Sequence, residues 1–402
     1  MNRHKLFQVA GLLLLASLPY TASAEIKVGA PIALTGSVAE LAAAMKAGAE
    51  LAMKQVNEQG GVLDQDYQLI FADSACNPDK AVDVVTRLIE VDKVSALVGP
   101  VCSGATLRQA RSVSIPAGVV TLSMSSASFM ISQLRDDDLV FRTAISDAFK
   151  GEVMAEYAIA NGVKDIAVSF ASDAYNTGVA KVFTRAFVAR GGKVTVNQAH
   201  QPERDDYKRE VSALLSGSEN LALFAYYGSS GINLLRDAFA SSHEVGQVFA
   251  TDSMLSEELI DALGADTLQS TRILNNSSDD SREAFKLWQA FAEAEDIPAK
   301  GPFVANAYDA AFLMALAIQA AGSAERDAIA QGLRAVSGPE GEVIFPGEFA
   351  KAKKILSEGG KINYEGGSGP VDFDAKGDVS GFIGVNTVKD GKWVAELLPQ
   401  QQ

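Results

Sequence analysis

Histidine and cysteine, which many enzymes use as bases, nucleophiles or metal ligands, are scarce in this chain. It has three histidines and two cysteines in 402 residues. His200 and His243 lie in polar stretches without the spacing of metal ligands, so we interpret both as surface residues. The chain also has no G-x-S-x-G elbow, no G-x-x-x-x-G-K-S/T loop and no G-x-G-x-x-G turn after a strand. These absences argue against an enzyme, and we expect neither a metal nor a cofactor.

Positive charge is also in the minority, with 35 Lys and Arg against 50 Asp and Glu. An acidic protein is poorly suited to nucleic acid or to an anionic lipid surface, so we expect neither as a partner. Long apolar runs are rare as well. The stretch 307–321 is apolar but contains Asp309 and Gln319, which favours a buried helix over a membrane span.

One apolar run, Leu6–Leu18, follows Arg3, His4 and Lys5 and precedes Ala22-Ser23-Ala24. This order is typical of a cleaved secretory signal, so residues 1–24 are predicted to be a signal peptide. The alternative is an N-terminal helix of the fold. Export would leave a soluble product in an oxidising compartment, where two cysteines favour a disulfide over a redox or metal pair.

The length of the chain and its alternation of strands and helices predict two α/β lobes with mainly parallel sheets. The first alternation has these predicted elements: strand 26–30, helix 39–57, strand 67–72, helix 78–91, strand 96–98 and strand 119–122. The pattern restarts after an extended crossing at 142–146. Asp390-Gly391 predicts a hairpin that pairs 385–389 with 392–395. The stretch 351–369, rich in Lys and Gly, is predicted to be a surface excursion.

Small, hydroxyl-bearing and charged residues follow several of these strands. They are Gly99–Thr106, Ser123–Ser128, Tyr175, Tyr226, Tyr227 and Asp252. Because the carboxyl ends of parallel strands meet at one edge of a sheet, we expect these groups to converge. Together they suit a zwitterion: Ser103 and its loop for a carboxylate, and Asp252 for an ammonium. Each residue also has a structural alternative, since Ser103 and Asp252 could cap helices and the tyrosines could be core or rim aromatics.

The mature chain resembles the periplasmic branched-chain amino acid binding proteins of ABC transporters, which have the type I periplasmic-binding-protein fold. The stretches that carry the resemblance are 26–29 with 34–36, 56–62, 73–78, 99–103, 141–143 and 369–374. The resemblance implies two lobes joined by three hinge strands, with boundaries at 25–144 plus 278–370 and at 145–277 plus 371–402. It also implies a monomer in the periplasm, an amino acid ligand, a membrane permease as partner and a Cys76–Cys102 disulfide.

Carried over by position, Ser103 would bind the α-carboxylate and Asp252 the α-ammonium, while Tyr175 and Tyr227 would line the second lobe. Three departures from the family pattern affect the expected pocket. Ser126-Ala127 stands where the family has Ala-Thr, so a hydroxyl would have to come from Ser125, Ser126 or Ser128. Leu41 stands where the leucine binder has a large aromatic residue, and Asp252 replaces a Glu.

We therefore expect the site for the amino acid head group to be retained and the side-chain pocket to be altered. An alternative is that the same fold binds an amide, a urea-like solute or an aromatic acid, or serves a chemosensory receptor. On the amino acid hypothesis, Asp252→Ala should abolish binding and leave the melting of the unliganded protein nearly unchanged.

Overall fold

A computed structural model describes residues 25–399 of the chain. The predicted signal peptide lies outside the described residues. The strands are β1 (Glu25–Ile32), β2 (Asp66–Asp73), β3 (Ala96–Val98), β4 (Thr121–Ser123), β5 (Val140–Arg142), β6 (Asp165–Ala171), β7 (Lys193–His200), β8 (Leu221–Phe224), β9 (Val248–Thr251), β10 (Thr271–Ser277), β11 (Glu342–Ile344), β12 (Ile362–Tyr364), β13 (Phe382–Lys389) and β14 (Lys392–Leu397). The helices are α1 (Ala39–Glu58), α2 (Pro78–Glu90), α3 (Ser103–Gln109), α4 (Asp147–Ala160), α5 (Ala174–Ala189), α6 (Lys208–Gly217), α7 (Ile232–Phe239), α8 (Glu257–Leu263), α9 (Glu283–Ala294), α10 (Val304–Ala321), α11 (Arg326–Val336) and α12 (Phe349–Ser357).

The first five strands form one parallel sheet in the order β2-β1-β3-β4-β5. Val28 of β1 lies opposite Leu69 of β2 and Ala96 of β3, and all three side chains are buried. Helices cover both faces of such a sheet, which is why its strands are continuous apolar runs rather than alternating ones. The loops that follow β3 and β4 therefore leave the same edge of the sheet.

The second sheet has the order β14-β13-β10-β9-β8-β6-β7. The strands from β6 to β10 are parallel, and β13 and β14 are antiparallel. The predicted hairpin is confirmed, because Lys389 pairs with Lys392 and Val388 with Trp393 across Asp390-Gly391. The predicted fold class, α/β with mainly parallel sheets, is confirmed by this topology.

The chain passes between the two sheets three times: between β5 and α4, between β10 and α9, and in the segment before β13. Arg142 ties the first crossing to the third. Its guanidinium is fully buried and donates to Asp378 Oδ1 at 2.7 Å and to the Ser128 carbonyl oxygen at 2.9 Å. Three crossings, two of them tied together by Arg142, are suited to a hinge. The predicted lobe boundaries stay a prediction.

Helix α10 is the central helix of the first core. It is long and apolar enough to cross a membrane, but 83% of it is buried inside the protein. It also carries the buried Asp309, which accepts hydrogen bonds from the Tyr364 hydroxyl at 2.8 Å and from the Ser368 N–H at 2.8 Å. Gly366 is needed beside it, because a Cβ there would lie 2.4 Å from an oxygen of Asp309. The buried helix predicted for 307–321 is therefore present.

Two expectations from the sequence are wrong. The stretch 351–369 is not only a surface excursion, because β12 is buried and Asp309 holds the loop after it. His200 is not a surface residue, because it is 2% exposed at the end of β7, between the Ser169 hydroxyl at 2.9 Å and the Ser230 hydroxyl at 3.0 Å. Burial lowers the pKa of His200 to about 4.

Candidate ligand-binding cleft

The loop after β3 forms the first corner of a cavity between the two lobes. Gly99 has φ +119°, and a Cβ there would lie 2.8 Å from the Pro31 carbonyl oxygen, so the backbone turns sharply at a residue without a side chain. Helix α3 then begins at Ser103, which lines the cavity and is 2% exposed. The chain reaches the cavity at this corner, as the strand-end pattern predicts.

Ser103 is not the helix cap that the sequence left open, because the capping position is Cys102 and makes no side-chain bond. The Oγ of Ser103 instead accepts the Ser128 N–H at 3.1 Å. Among the described residues, no acceptor takes the hydroxyl proton of Ser103. This hydroxyl therefore faces the cavity as a hydrogen-bond donor, which is what a carboxylate requires.

The predicted disulfide joins Cys76 to Cys102, with the two Cα atoms 5.5 Å apart. Cys102 lines the cavity directly beside Ser103. The bond therefore fixes the loop after β2 to the corner of the cavity, and its two cysteines are the only ones in the chain.

The loop after β4 contributes one residue to the cavity wall, Ser125, whose hydroxyl donates to the Val101 carbonyl oxygen at 2.8 Å. Ser126 and Ala127 lie behind the wall. The Ser126 hydroxyl pairs with that of Thr106 at 2.7 Å, and the Ala127 carbonyl oxygen accepts the Asp147 N–H at 2.7 Å. Because the proton of Ser125 is already donated, this serine offers a ligand an acceptor rather than a donor.

An apolar wall completes the first-lobe side of the cavity. It consists of Leu41, Ala42 and Met45 on one face of α1, with Val38 just before that helix and Phe303 beside them. Phe303 precedes α10 and has a left-handed backbone, φ +61°. Leu41, which the sequence analysis names as a candidate, lines this wall, whereas no sequence pattern singled out Phe303.

Two tyrosines line the second-lobe side, and they are Tyr175 and Tyr226. Their rings stack with centroids 6.1 Å apart. The sequence-based prediction named Tyr227, but the structure puts that residue at the rim, where its hydroxyl donates to Glu40 Oε2 at 3.3 Å. β8 ends at Phe224, and a helical turn begins at Tyr227, so Tyr226 is the last extended residue before the backbone changes direction.

Asp252 follows β9 and lines the cavity with 4% of its surface exposed. It does not cap α8, because Ser256 does. Its carboxylate accepts hydrogen bonds from the Lys150 ammonium at 2.6 Å, from the Tyr175 hydroxyl, and from the Ser253 N–H at 3.1 Å. The acid predicted to meet a ligand ammonium thus already has a cationic partner within the protein.

Lys150 and Asp147 are the residues that sequence reasoning missed. Both lie in the first turn of α4 and are fully buried, with the ammonium 3.6 Å from Asp147 Oδ1. Burial raises the pKa of Asp147 to about 7, with Lys150 opposing the shift. Burial alone would lower the pKa of Lys150, but the charges of Asp252 and Asp147 outweigh it and raise that pKa above its ordinary value. The cluster Asp147–Lys150–Asp252 is hereafter the buried charge cluster.

A family model described as periplasmic binding protein matches residues 25–358. This chain belongs to the periplasmic binding protein family. It is 31% identical over 330 residues to the Leu/Ile/Val-binding protein BraC3 of Rhizobium johnstonii, a match that covers 80% of this chain and 87% of the relative.

Solved structures share the fold of this periplasmic binding protein. The substrate-binding protein LivJ of Streptococcus pneumoniae, in complex with isoleucine, has a TM-score of 0.76 at 22% identity and covers 93% of this chain and 99% of its own. A solute-binding protein of an ABC transporter from R. palustris, in complex with benzoate, has a TM-score of 0.76 at 19% identity and covers 93% and 96%. The same fold therefore holds both an amino acid and a plain aromatic carboxylate in other proteins.

The family and these neighbours are binding proteins. Within residues 25–399, no group of three or more His, Cys, Asp or Glu side chains is arranged to hold a metal ion. The cavity of this periplasmic binding protein contains the free hydroxyl donor of Ser103, an apolar wall, two stacked tyrosines and an acid in an ion pair. Such a set can hold and orient a small organic acid.

Proposed function

We propose that this protein captures a small carboxylic acid in the periplasm, an amino acid of the branched-chain type or a close relative of one, and delivers it to the membrane permease of an ABC transporter. It acts as a monomeric receptor and does not convert its ligand. The name of the relative BraC3 and the isoleucine complex of LivJ support the ligand class.

The observation that carries this proposal is the free hydroxyl of Ser103 beside an apolar wall. A carboxylate at Ser103 would accept the proton that no described residue takes. An aliphatic or small aromatic body would then lie against Leu41, Met45 and Phe303, where removal of apolar surface from water supplies binding energy. The tyrosines of the other lobe would cover the ligand.

The cavity has walls from both lobes, so a ligand that touches both stabilises the closed arrangement relative to an open one. The three chain crossings allow such a closure as a hinge motion. A permease that recognises the closed surface would then distinguish loaded from empty receptor.

The test is a binding screen on the protein freed of any carried ligand by unfolding and refolding. The panel contains the L-amino acids, their 2-oxo and 2-hydroxy analogues, and aliphatic and aromatic monocarboxylates. A true ligand should stabilise the fold by about 2.7 kcal/mol at a hundredfold excess over its Kd. Titration calorimetry should then give one site per chain. If no member of the panel shifts the melting temperature, the proposal is wrong.

A further inference from the structure

The charged partner of Asp252 is already built into the protein. The ammonium of Lys150 lies 2.6 Å from Asp252 Oδ2, and Lys150 has no exposed surface. It also lies 5.6 Å from the ring centroid of Tyr175 and 5.9 Å from that of Phe303. With Asp147 Oδ1 3.6 Å away, Lys150 therefore occupies a cage of two carboxyl groups and two aromatic rings, an environment that binds ammonium groups.

Little of Asp252 is left for a second cation. A carboxylate offers about four acceptor positions, and Lys150, Tyr175 and the Ser253 N–H use three of them. Its charge is also balanced by Lys150. An ammonium on the ligand would have to share a neutralised acid with the fixed ammonium of Lys150, and the two cations would repel each other in a site that excludes water.

Asp147 does not supply the missing negative charge to the cavity. Its side chain is fully buried and does not line the cavity, and its two oxygens have no hydrogen-bond partner among the described residues. Burial raises its pKa to about 7, so it retains a proton over much of the range up to neutral pH. With Asp147 protonated, the buried charge cluster has no net charge.

The opposite side of the cavity presents no acid either. Its polar groups are the donor of Ser103 and the acceptor of Ser125, and the rest of that wall is apolar. A ligand with a single carboxylate finds a donor at Ser103 and apolar contact elsewhere. A ligand ammonium, in contrast, would lose its water and meet an acid that is already paired, which is costly.

We propose that Lys150 determines the specificity of this cleft: as the resident counter-ion of Asp252, it makes the site select carboxylates without an α-ammonium over the corresponding amino acids. The inference rests on the proposed function and narrows its ligand class. The favoured ligands are short branched aliphatic or aromatic monocarboxylates, including 2-oxo and 2-hydroxy acids.

The experiment compares two ligands that differ only in the ammonium, L-leucine and 4-methylpentanoate, with 4-methyl-2-oxopentanoate as a third. Titration calorimetry on the ligand-free protein should give a Kd for the two carboxylates at least about tenfold lower than for L-leucine. In Lys150→Met, Asp252 loses its cation and can accept one from the ligand. That variant should bind L-leucine more tightly than the wild type does and should lose the preference for carboxylates.

Lys181→Met is the matched control, because it makes the same change at an exposed lysine of the second lobe outside the cavity. Its ligand preference should equal that of the wild type. The double variant Lys150→Met/Asp252→Asn guards against misfolding of the single variant, since it leaves no buried charge unpaired at this position. It should bind 4-methylpentanoate within a few-fold of the wild type.

The outcomes separate the two proposals. If the wild type prefers L-leucine, the role of Lys150 is refuted while the proposed function stands. A wild-type preference for carboxylates that Lys150→Met leaves unchanged also refutes that role. Loss of 4-methylpentanoate binding in the double variant would also refute that role, because the carboxylate would then depend on the Lys150–Asp252 charge pair itself. If no acid of either kind binds the wild type, both proposals fail.

Discussion

The two walls of the cavity are built in different ways. The first-lobe wall comes from α1 and from loops that follow β3 and β4, and its polar groups are neutral hydroxyls. The second-lobe wall presents Asp252, with Lys150 and Asp147 buried behind it. The first wall can adapt to a ligand through shape and one hydrogen bond. The second wall holds charges that satisfy each other, so its effect on a ligand depends on how they are paired.

The largest effect should come from breaking the ion pair of the second wall. Asp252→Ala leaves the Lys150 ammonium buried without its main partner, and removal of one member of a buried pair costs about 3–5 kcal/mol of unfolding free energy. This revises the expectation from sequence that the unliganded protein would melt unchanged. Urea denaturation measures the loss.

The matched control for that variant is Glu50→Ala, which breaks the partly exposed Lys46–Glu50 pair on α1. An exposed pair contributes no more than about 1 kcal/mol, so this variant should unfold close to the wild type. Equal losses in the two variants would mean that the buried charge cluster is no more important for stability than a surface pair.

In the first wall, removal of the Cys76–Cys102 disulfide should have the largest effect on stability. Cys76→Ser/Cys102→Ser removes the closure of a loop with a sequence separation of 26, which is worth about 3.5 kcal/mol in the chain-entropy model. Thermal and urea unfolding with and without a reductant measure it. The wild type should lose this stability when reduced, whereas the double variant should not respond to the reductant.

Ser103→Ala tests the one free donor of the first wall. A hydrogen bond to a charged group is worth about 1.5–3 kcal/mol, so affinity for a carboxylate ligand should fall about tenfold to a hundredfold. Ser112→Ala, an exposed serine in the turn that continues α3, is the control and should bind normally. Unchanged affinity in Ser103→Ala would remove this residue from the site.

The pH dependence of stability tests whether Asp147, buried behind the second wall, holds a proton. Its raised pKa means that the folded protein holds a proton that the unfolded chain releases, so this residue's contribution to stability falls as pH rises from about 4 to about 7. Asp147→Asn abolishes that dependence. Relative to the wild type, the variant should gain about 1.4 kcal/mol for each pH unit between pH 5 and the folded pKa of about 7, which is about 3 kcal/mol in total by pH 8.

The measurement is urea unfolding of both proteins at the two pH values. Only the difference between the proteins is interpreted, because His200, whose pKa is lowered by burial, contributes in the opposite direction. The contribution of His200 to stability is lost as pH falls below the pKa that this histidine has in the unfolded chain. That loss is the same in both proteins. Parallel pH dependences would mean that Asp147 is ionised throughout.

The first wall could be predicted from the sequence because its features are local. A buried strand followed by Gly99 and Ser103 indicates a loop at a sheet edge, and the apolar stripe of α1 indicates the face that contains Leu41. The second wall could not, because its decisive contact joins Lys150 to a residue 102 positions away. Only the fold brings these two residues together.

The buried His200 and β12 were missed for the same reason. Both lie in polar stretches, and local polarity predicts exposure. In the fold, the hydroxyls of Ser169 and Ser230 satisfy the ring nitrogens of His200, and Asp309 satisfies the backbone after β12. A buried polar group is tolerated where every partner is supplied, and those partners are distant in the chain.

Tyr226 and Tyr227 are adjacent in the chain, but only Tyr226 lines the cavity. Removing either hydroxyl should change ligand affinity only slightly. The Tyr226 hydroxyl has no hydrogen-bond partner among the described residues and lies at the cavity. Tyr226→Phe should therefore weaken ligand binding by about 0.5–1.5 kcal/mol, the worth of one hydrogen bond. Tyr227→Phe removes only the bond to Glu40 at the rim and should change affinity by less than about 0.5 kcal/mol. Calorimetry with one ligand on both variants decides between them, and the reverse order would return the assignment to Tyr227.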